Sequence, residues 1–315
     1  MQTEQVVACK IAPICLFAWK RISETQDTIR HLQENHLAKD SELFIFVDGA
    51  RKATDEPGIQ EVVDYVQNVS GFRKVTVNIS PVNKGLSQSI IGGVTEVLQR
   101  FEKAIVLEDD LITSPNFLNY MNSALDYYKQ HKKVFSVSGY SFNIHFPKGY
   151  RFDHYFSVRG SSWGWATWID RWETVDWEVS DYAQFISSWK KRRSFNKGGS
   201  DLSGMLRKQM EGKINSWAIR WCYQQWKNNQ LTVYPRISKI KNIGFGAGAT
   251  HTSQNTPEHE VRLDEGNSIE FHFSDNVDID LKIAAEFARS FSIPTRIKNK
   301  LLGYLNQYSE DVSAL

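Results

Sequence analysis

At 315 residues with 41% hydrophobic content, the chain can bury one large core, or one α/β domain with a small appendage. A net charge of +2 and a pI near 8.3 give no bulk attraction to nucleic acid, so a nucleic-acid partner is not expected. Cys9, Cys15 and Cys222 form no CxxC spacing, which argues against a disulfide framework or zinc site and fits a reducing compartment. No signal-peptide succession opens the chain and no apolar run approaches the ~20 residues that span a bilayer, so the expected location is cytoplasmic. Ten Trp and twelve Tyr supply flat apolar faces suited to partly polar ligands, sugar rings included, or to the core.

In chain order, residues 12–18 read as a buried first strand whose basic end, Trp19-Lys20-Arg21, faces a site, with Arg21 a candidate nucleotide contact. Ser23, with Gln26 three residues on, predicts an N-cap for a helix to about 37. Residues 42–47 (ELFIFV) form a second strand ending in Asp48-Gly49, where an acid at a strand tip can accept hydrogen bonds from a base or ribose. A helix over 59–69, a strand over 74–79 and a loop offering Lys84 to a phosphate follow, then a helix over 86–101. The alternation implies a doubly wound, mostly parallel sheet.

The next stretch, AIVLEDDLITSP from Ala104 to Pro115, organises the rest. Ile105, Val106 and Leu107 suit a buried strand that delivers Glu108, Asp109 and Asp110 to the sheet's carboxyl edge, where open α/β sheets bind ligands. Three adjacent carboxylates repel one another unless a cation neutralises them. Hard oxygen ligands of this kind suit Mg²⁺ or Mn²⁺ carrying a diphosphate. Ser114-Pro115 opens a helix over 116–130 with Phe117, Leu118, Met121, Leu125 and Tyr128 on one side.

The first strand with Arg21, the FVDG of Phe46 to Gly49, and VLEDDLITSPNFLNYM from Val106 to Met121 resemble the metal-dependent glycosyltransferases of A-type, Rossmann-like nucleotide-sugar fold. Within them the chain looks like the N-acetylglucosaminyltransferase family of N-glycan maturation and related bacterial polysaccharide glycosyltransferases. The resemblance implies that Asp48 meets the nucleotide base, that Glu108 and Asp109 contact ribose and donor sugar, and that Asp110 ligates the metal. It covers 11 to about 252, strongly at the acids and loosely elsewhere. The lack of a stem or membrane anchor in the sequence favours the bacterial relatives.

Further on, strands are expected over 134–138 and 152–158, before the run Gly160-Ser161-Ser162-Trp163-Gly164-Trp165-Ala166-Thr167-Trp168. If extended, it turns Trp163 and Trp165 to one face, for sugar contact or for the core. The run Lys190 to Arg193 is either a solvated helix face or an attraction to an anionic membrane or lipid-linked acceptor, at roughly 1 kcal/mol per basic residue. A helix over 202–210 precedes Asn215-Ser216-Trp217, where Asn215 or Ser216 caps the next helix and Trp217 is a further candidate sugar contact. The mannose-specific relatives carry acids before this Trp, including the carboxylate thought to deprotonate the acceptor. Asn215 stands at that catalytic position, and an amide is no general base, so Glu211, or else Asp201, takes the role unless configuration is retained.

After a strand over 231–235, the glycine-rich segment 244–251 reads as a mobile lid. A late His completes the metal sphere in several enzymes of this fold, which implies His251 as a second metal ligand or, failing that, a surface imidazole. The expected division is a transferase domain over 1–255, then a polar linker and C-terminal helical tail over 256–315, with helices over 281–291 and 294–308. The reading is transfer of a sugar, UDP-linked by expectation, to a glycan or lipid-linked glycan of a bacterial surface, with weak peripheral membrane contact. Two rivals stand beside it: a nucleotide-sugar nucleotidyltransferase, which wants a glycine-rich basic loop that Ala18-Trp19-Lys20-Arg21 does not supply, and a non-catalytic glycan-binding protein, which needs no acid triplet.

Overall fold

Five consecutive apolar residues make β1 (Ile14–Ala18), and every one is buried. The computed structural model describes residues 11–244, 261–295, 297 and 298. From β1 the chain runs through α1 (Ile22–Gln33), β2 (Glu42–Val47), α2 (Glu56–Val66), β3 (Lys74–Ile79), α3 (Leu86–Phe101) and β4 (Lys103–Glu108). β1 pairs in parallel with both β2 and β4, and β2 with β3. Alternate residues feed two cores: Ile14, Leu16, Ile105 and Leu107 join one, Cys15, Phe17, Ala104 and Val106 the other. Helices therefore cover both faces, which is why these strands are continuous apolar runs rather than alternating ones.

The second half is mixed in direction. A short β5 (Leu111–Thr113) leads into α4 (Phe117–Tyr127), β6 (Val134–Ser138), β7 (His154–Ser157) and β8 (Trp165–Trp168). Five helices follow: α5 (Ile169–Trp172), α6 (Tyr182–Ser187), α7 (Trp189–Phe195), α8 (Leu202–Met210) and α9 (Trp217–Lys227). β9 (Leu231–Pro235), β10 (Ile240–Asn242) and α10 (Leu281–Ser290) close the described chain. The eight-stranded sheet has the order β3-β2-β1-β4-β8-β6-β9-β7, and β10 pairs separately with β5. The fold is α/β with a mostly parallel first half and helices near the C-terminus.

Several expectations need correction. Arg21, not Ser23, stands at the N-cap of α1, and it supplies no side-chain cap. The Ser23 hydroxyl donates to Glu24 instead, because the chain turns into the helix directly after β1. The Gly-Trp run is not wholly extended: Gly164 has φ +58, and a Cβ there would meet Ile240 at 2.7 Å. That kink ends any shared face for Trp163 and Trp165, and β8 begins after it as an antiparallel strand between β4 and β6. Part of the segment after 255 packs onto the rest of the chain. Phe271 and Phe273 pack edge-on or tilted against Tyr120, Asp264 pairs with Lys239 at 2.6 Å, and Ile283 and Phe287 are buried.

Candidate active site

β1 lies between β2 and β4, so the chain order reverses there, and the crevice at the carboxyl ends of these strands is where such sheets bind ligands. A cavity of about 580 Å³ opens at that edge. On one side it is lined by Trp19 and Arg21 after β1, Asp48 and Arg51 after β2, Glu108 at the end of β4, and Asp109 and Asp110 after it.

The acids are held by their own electrostatics. Arg21 Nη2 donates to Asp109 Oδ1 at 2.5 Å and to Asp110 Oδ2 at 2.8 Å, and Trp19 N–H donates to Asp109 Oδ2 at 3.2 Å. Burial lowers the guanidinium's affinity for its proton, but Asp109 and Asp110 outweigh it and keep Arg21 firmly charged. Burial pushes Asp109 up to about 6 against the pull of Arg21. Burial, with Asp110 and Asp109 beside it, pushes Glu108 up to about 8, so at neutral pH Glu108 is mostly a neutral hydrogen-bond donor. One guanidinium thus bridges two carboxyl groups. Arg21, expected to touch the nucleotide, spends its guanidinium on the acids.

Asp48 is similarly committed. Its Oδ1 accepts from the amides of Gly49 (3.0 Å) and Lys84 (2.9 Å), and its Oδ2 from Gly85 (2.8 Å). The strand tip thereby fixes the 83–85 loop. Lys84 contributes its amide here, while its side chain is exposed and does not line the cavity, since the loop's backbone is what turns inward. Asn83 Nδ2 and Trp19 Nε1 both donate to Gly49 O, at 2.7 and 3.0 Å. Trp19 carries Lys20 Nζ 4.5 Å and Arg51 Cζ 4.6 Å from its ring.

On the other side the cavity is lined by Ser161, Ser162 and Trp163 and by Asn215, Ser216 and Trp217 at the start of α9. Ser216 caps that helix, its hydroxyl accepting from Ile219 N–H at 3.3 Å. Trp163 meets Tyr140 edge to face at 4.7 Å. Trp165 does not reach the cavity: it is buried in the opposite core, stacked 4.9 Å from Trp217, so it supports an indole rather than a sugar. Neither proposed base is free at this wall. Asp201 forms a two-pronged pair with Arg159, both bonds 2.9 Å. Glu211 ends α8 off the cavity, exposed and bonded to Lys213 at 2.7 Å, which with Arg207 lowers its proton affinity. A helical-turn argument from Asn215 misplaces it because Gly212, with φ +69, and an irregular stretch intervene.

Gly244 lies against the acids, and a Cβ on it would come within 2.0 Å of Asp110 Oδ2. Ile243 N–H donates to Asp110 O at 2.9 Å, so the segment leaving β10 crosses the acids. His251 and most of the expected lid lie outside the described residues. Residues not anticipated at the cavity include Asn83, Arg51 and Arg159. Each had a neighbouring signal: Asn83 the Lys84 loop, Arg51 the Asp48-Gly49 strand tip, and Arg159 the Gly160-Ser161-Ser162 run.

No family profile and no curated protein matches the chain. Among solved structures it is similar to the mannosyltransferase PcManGT from Pyrobaculum calidifontis, solved with GDP-Man and Mn²⁺ (TM-score 0.33, 8% identity, 51% of this chain and 46% of that one). It is also similar to S. aureus TarS (0.40, 8%, 72% and 36%) and to the galactosyltransferase LgtC with donor and acceptor sugar analogs (0.37, 8%, 70% and 72%). The chain spans less than half the length of the first two. These are partial likenesses of fold, and the site's chemistry rests on its own residues.

Proposed function

We propose that the protein is a metal-dependent glycosyltransferase that moves a hexosyl or N-acetylhexosaminyl group from a nucleoside diphosphate donor, UDP-linked in the first instance, to a glycan acceptor of bacterial surface polysaccharide synthesis. The observation that carries this is the meeting in one cavity of Asp48 and the acids Glu108, Asp109 and Asp110, from two parallel strand tips, opposite a wall of indoles, hydroxyls and an amide. Trp19, Arg51 and Asn83, on the frame set by Asp48, hold the nucleobase. Glu108, whose proton affinity burial and its acidic neighbours raise, meets a donor-sugar hydroxyl, and Asp109 orients Arg21.

Among the described residues no three His, Cys, Asp or Glu side chains form a metal cage. A Mg²⁺ or Mn²⁺ ion on a diphosphate needs no cage, since one or two carboxylates, phosphate oxygens and water complete its shell. The donor set fits: Asp110 is a hard oxygen ligand at the cavity, and among the described residues Arg21 is the cation bonded to it and to Asp109. Asp110 would hold the ion, which supplies positive charge to the departing diphosphate. Across the cavity Trp163 gives its face to an acceptor ring, Trp217 is buried against Trp165 and backs the wall, and Asn215 with Ser216 positions a hydroxyl. Glu211 has no part in the reaction.

The test is a thermal-shift screen of UDP-, GDP- and dTDP-sugars with and without Mn²⁺. A bound donor at 100 times its dissociation constant stabilises the protein by about 2.7 kcal/mol, and only with metal. Product NMR on the donor so found then gives the anomeric outcome. The absence of any metal-dependent shift across the three nucleotide classes would contradict the proposal.

A further inference from the structure

Charge is unevenly spread over this chain. Residues 188 to 213 hold eight Lys or Arg and two acids, a net +6 in a chain whose total is +2. Both acids are already engaged, Asp201 with the buried Arg159 and Glu211 with Lys213. Among the described residues, Lys190, Lys191, Arg193 and Lys197 have no carboxylate partner.

This basic surface is built in place. Ser188 caps α7 by accepting from Lys191 N–H, and Phe195 turns inward to meet Phe185 at 5.7 Å and Tyr223 at the same distance. The outward side then presents Trp189, 58% exposed, with Lys190, Arg193 and Lys197. An indole left more than half in water among unpaired cations suits a headgroup layer, which takes an amphipathic ring and attracts basic side chains together. Close by, the carbonyl of Phe291 accepts from Ser200 at 2.6 Å, and just beyond it Ile293 and Ile297 are 62% and 55% exposed. Aliphatic side chains add apolar area at a bilayer but give no stacking platform for bases, and Trp189 alone is no series of aromatics for a single strand.

We infer that the outer surface of α7 and the turn after it is a docking surface for an anionic bilayer, with Trp189 seated at headgroup depth. The inner side of the adjoining α8 supplies Leu202 and Met205 to the cavity wall, so the docked face backs directly onto the site. The inference stands whether or not the transferase reading holds.

Co-sedimentation of the full chain with phosphatidylcholine vesicles, with and without phosphatidylglycerol, tests it. Binding is expected only to the anionic vesicles and should be released by salt. Each basic residue near such a surface contributes about fivefold, so K190E with R193E and K197E should lower partitioning at least about a hundredfold. Trp189→Ala should weaken it while the salt dependence persists. Should the triple reversal fail to fold, the milder Lys190→Gln with Arg193→Gln, expected to lose about twentyfold, reads the same effect. Equal binding to both vesicle types, anionic binding unchanged in these variants, or retention on single-stranded RNA with no vesicle binding would each overturn the inference.

Discussion

On one side of the cavity the tips of β1, β2 and β4 gather four carboxylates and a guanidinium, all bonded to one another or to backbone amides, apart from the protonated Glu108. On the other, the 160–163 turn and the start of α9 present indoles, hydroxyls and an amide, with Asp201 tied to the lining Arg159. The first side works through charge held in place before a ligand arrives, the second through shape and stacking. Damage should therefore look different on the two sides: loss of stability and metal response on one, loss of acceptor recognition on the other.

The largest effect should come from Arg21→Met, which leaves Asp109 and Asp110 facing each other without their cation. Removing one partner of a largely buried pair costs about 3–5 kcal/mol, visible as a fall in the urea midpoint. Part of that loss should return with Mn²⁺. A midpoint equal to wild type would mean that the acids do not depend on Arg21.

Across the cavity, Trp163→Ala should raise the acceptor KM about tenfold, the worth of one aromatic face, with donor affinity unchanged. A matching loss of donor binding would erase the distinction between the two sides.

The charged side should also betray itself through pH. Glu108, ordinarily near 4.5, is raised to about 8 in the folded protein, so the folded state keeps a proton that the unfolded chain has released. Its contribution is full below the unfolded value and is lost as pH rises through 8. Asp109, raised to about 6, acts in the same sense at lower pH, while His154, lowered by burial to about 4, opposes it below 6.5. Between pH 6.5 and about 8.5 Glu108 is the group that governs the slope, and stability should fall by on the order of 2 kcal/mol. Glu108→Gln should flatten that slope, and an equal slope in the variant would contradict the assignment.

At the small end, Glu211→Gln should leave turnover within about twofold of wild type, far from the ~10²-fold or more that removing a general base costs. A tenfold loss would bring Glu211 back to the acceptor.

How much of this was readable from the residues follows the same division. β2, β3, β6, β9, α3 and α8 fall where apolar runs and spacing put them, since each is defined by its own side chains. The acid triplet was legible for the same reason: a buried strand must end, and its next residues must emerge at the sheet edge. The acceptor wall was not. Whether Trp163 or Trp165 faces the cavity turns on the φ of Gly164, which the surrounding sheet dictates. Arg21 reads from the sequence as a nucleotide contact, and only the structure shows Asp109 and Asp110 2.5 and 2.8 Å from it. Glu211 and Asp201 pair with Lys213 and Arg159, partners no spacing rule names.

The central claim is that Asp110 makes donor binding depend on metal. Calorimetric titration of the donor selected by the screen, into wild type and Asp110→Ala, each with Mn²⁺ and with chelator, tests it most directly. The account predicts tight binding by wild type with Mn²⁺ alone, and equally weak binding by the variant in both conditions. Wild-type, Mn²⁺-dependent affinity in Asp110→Ala would contradict it.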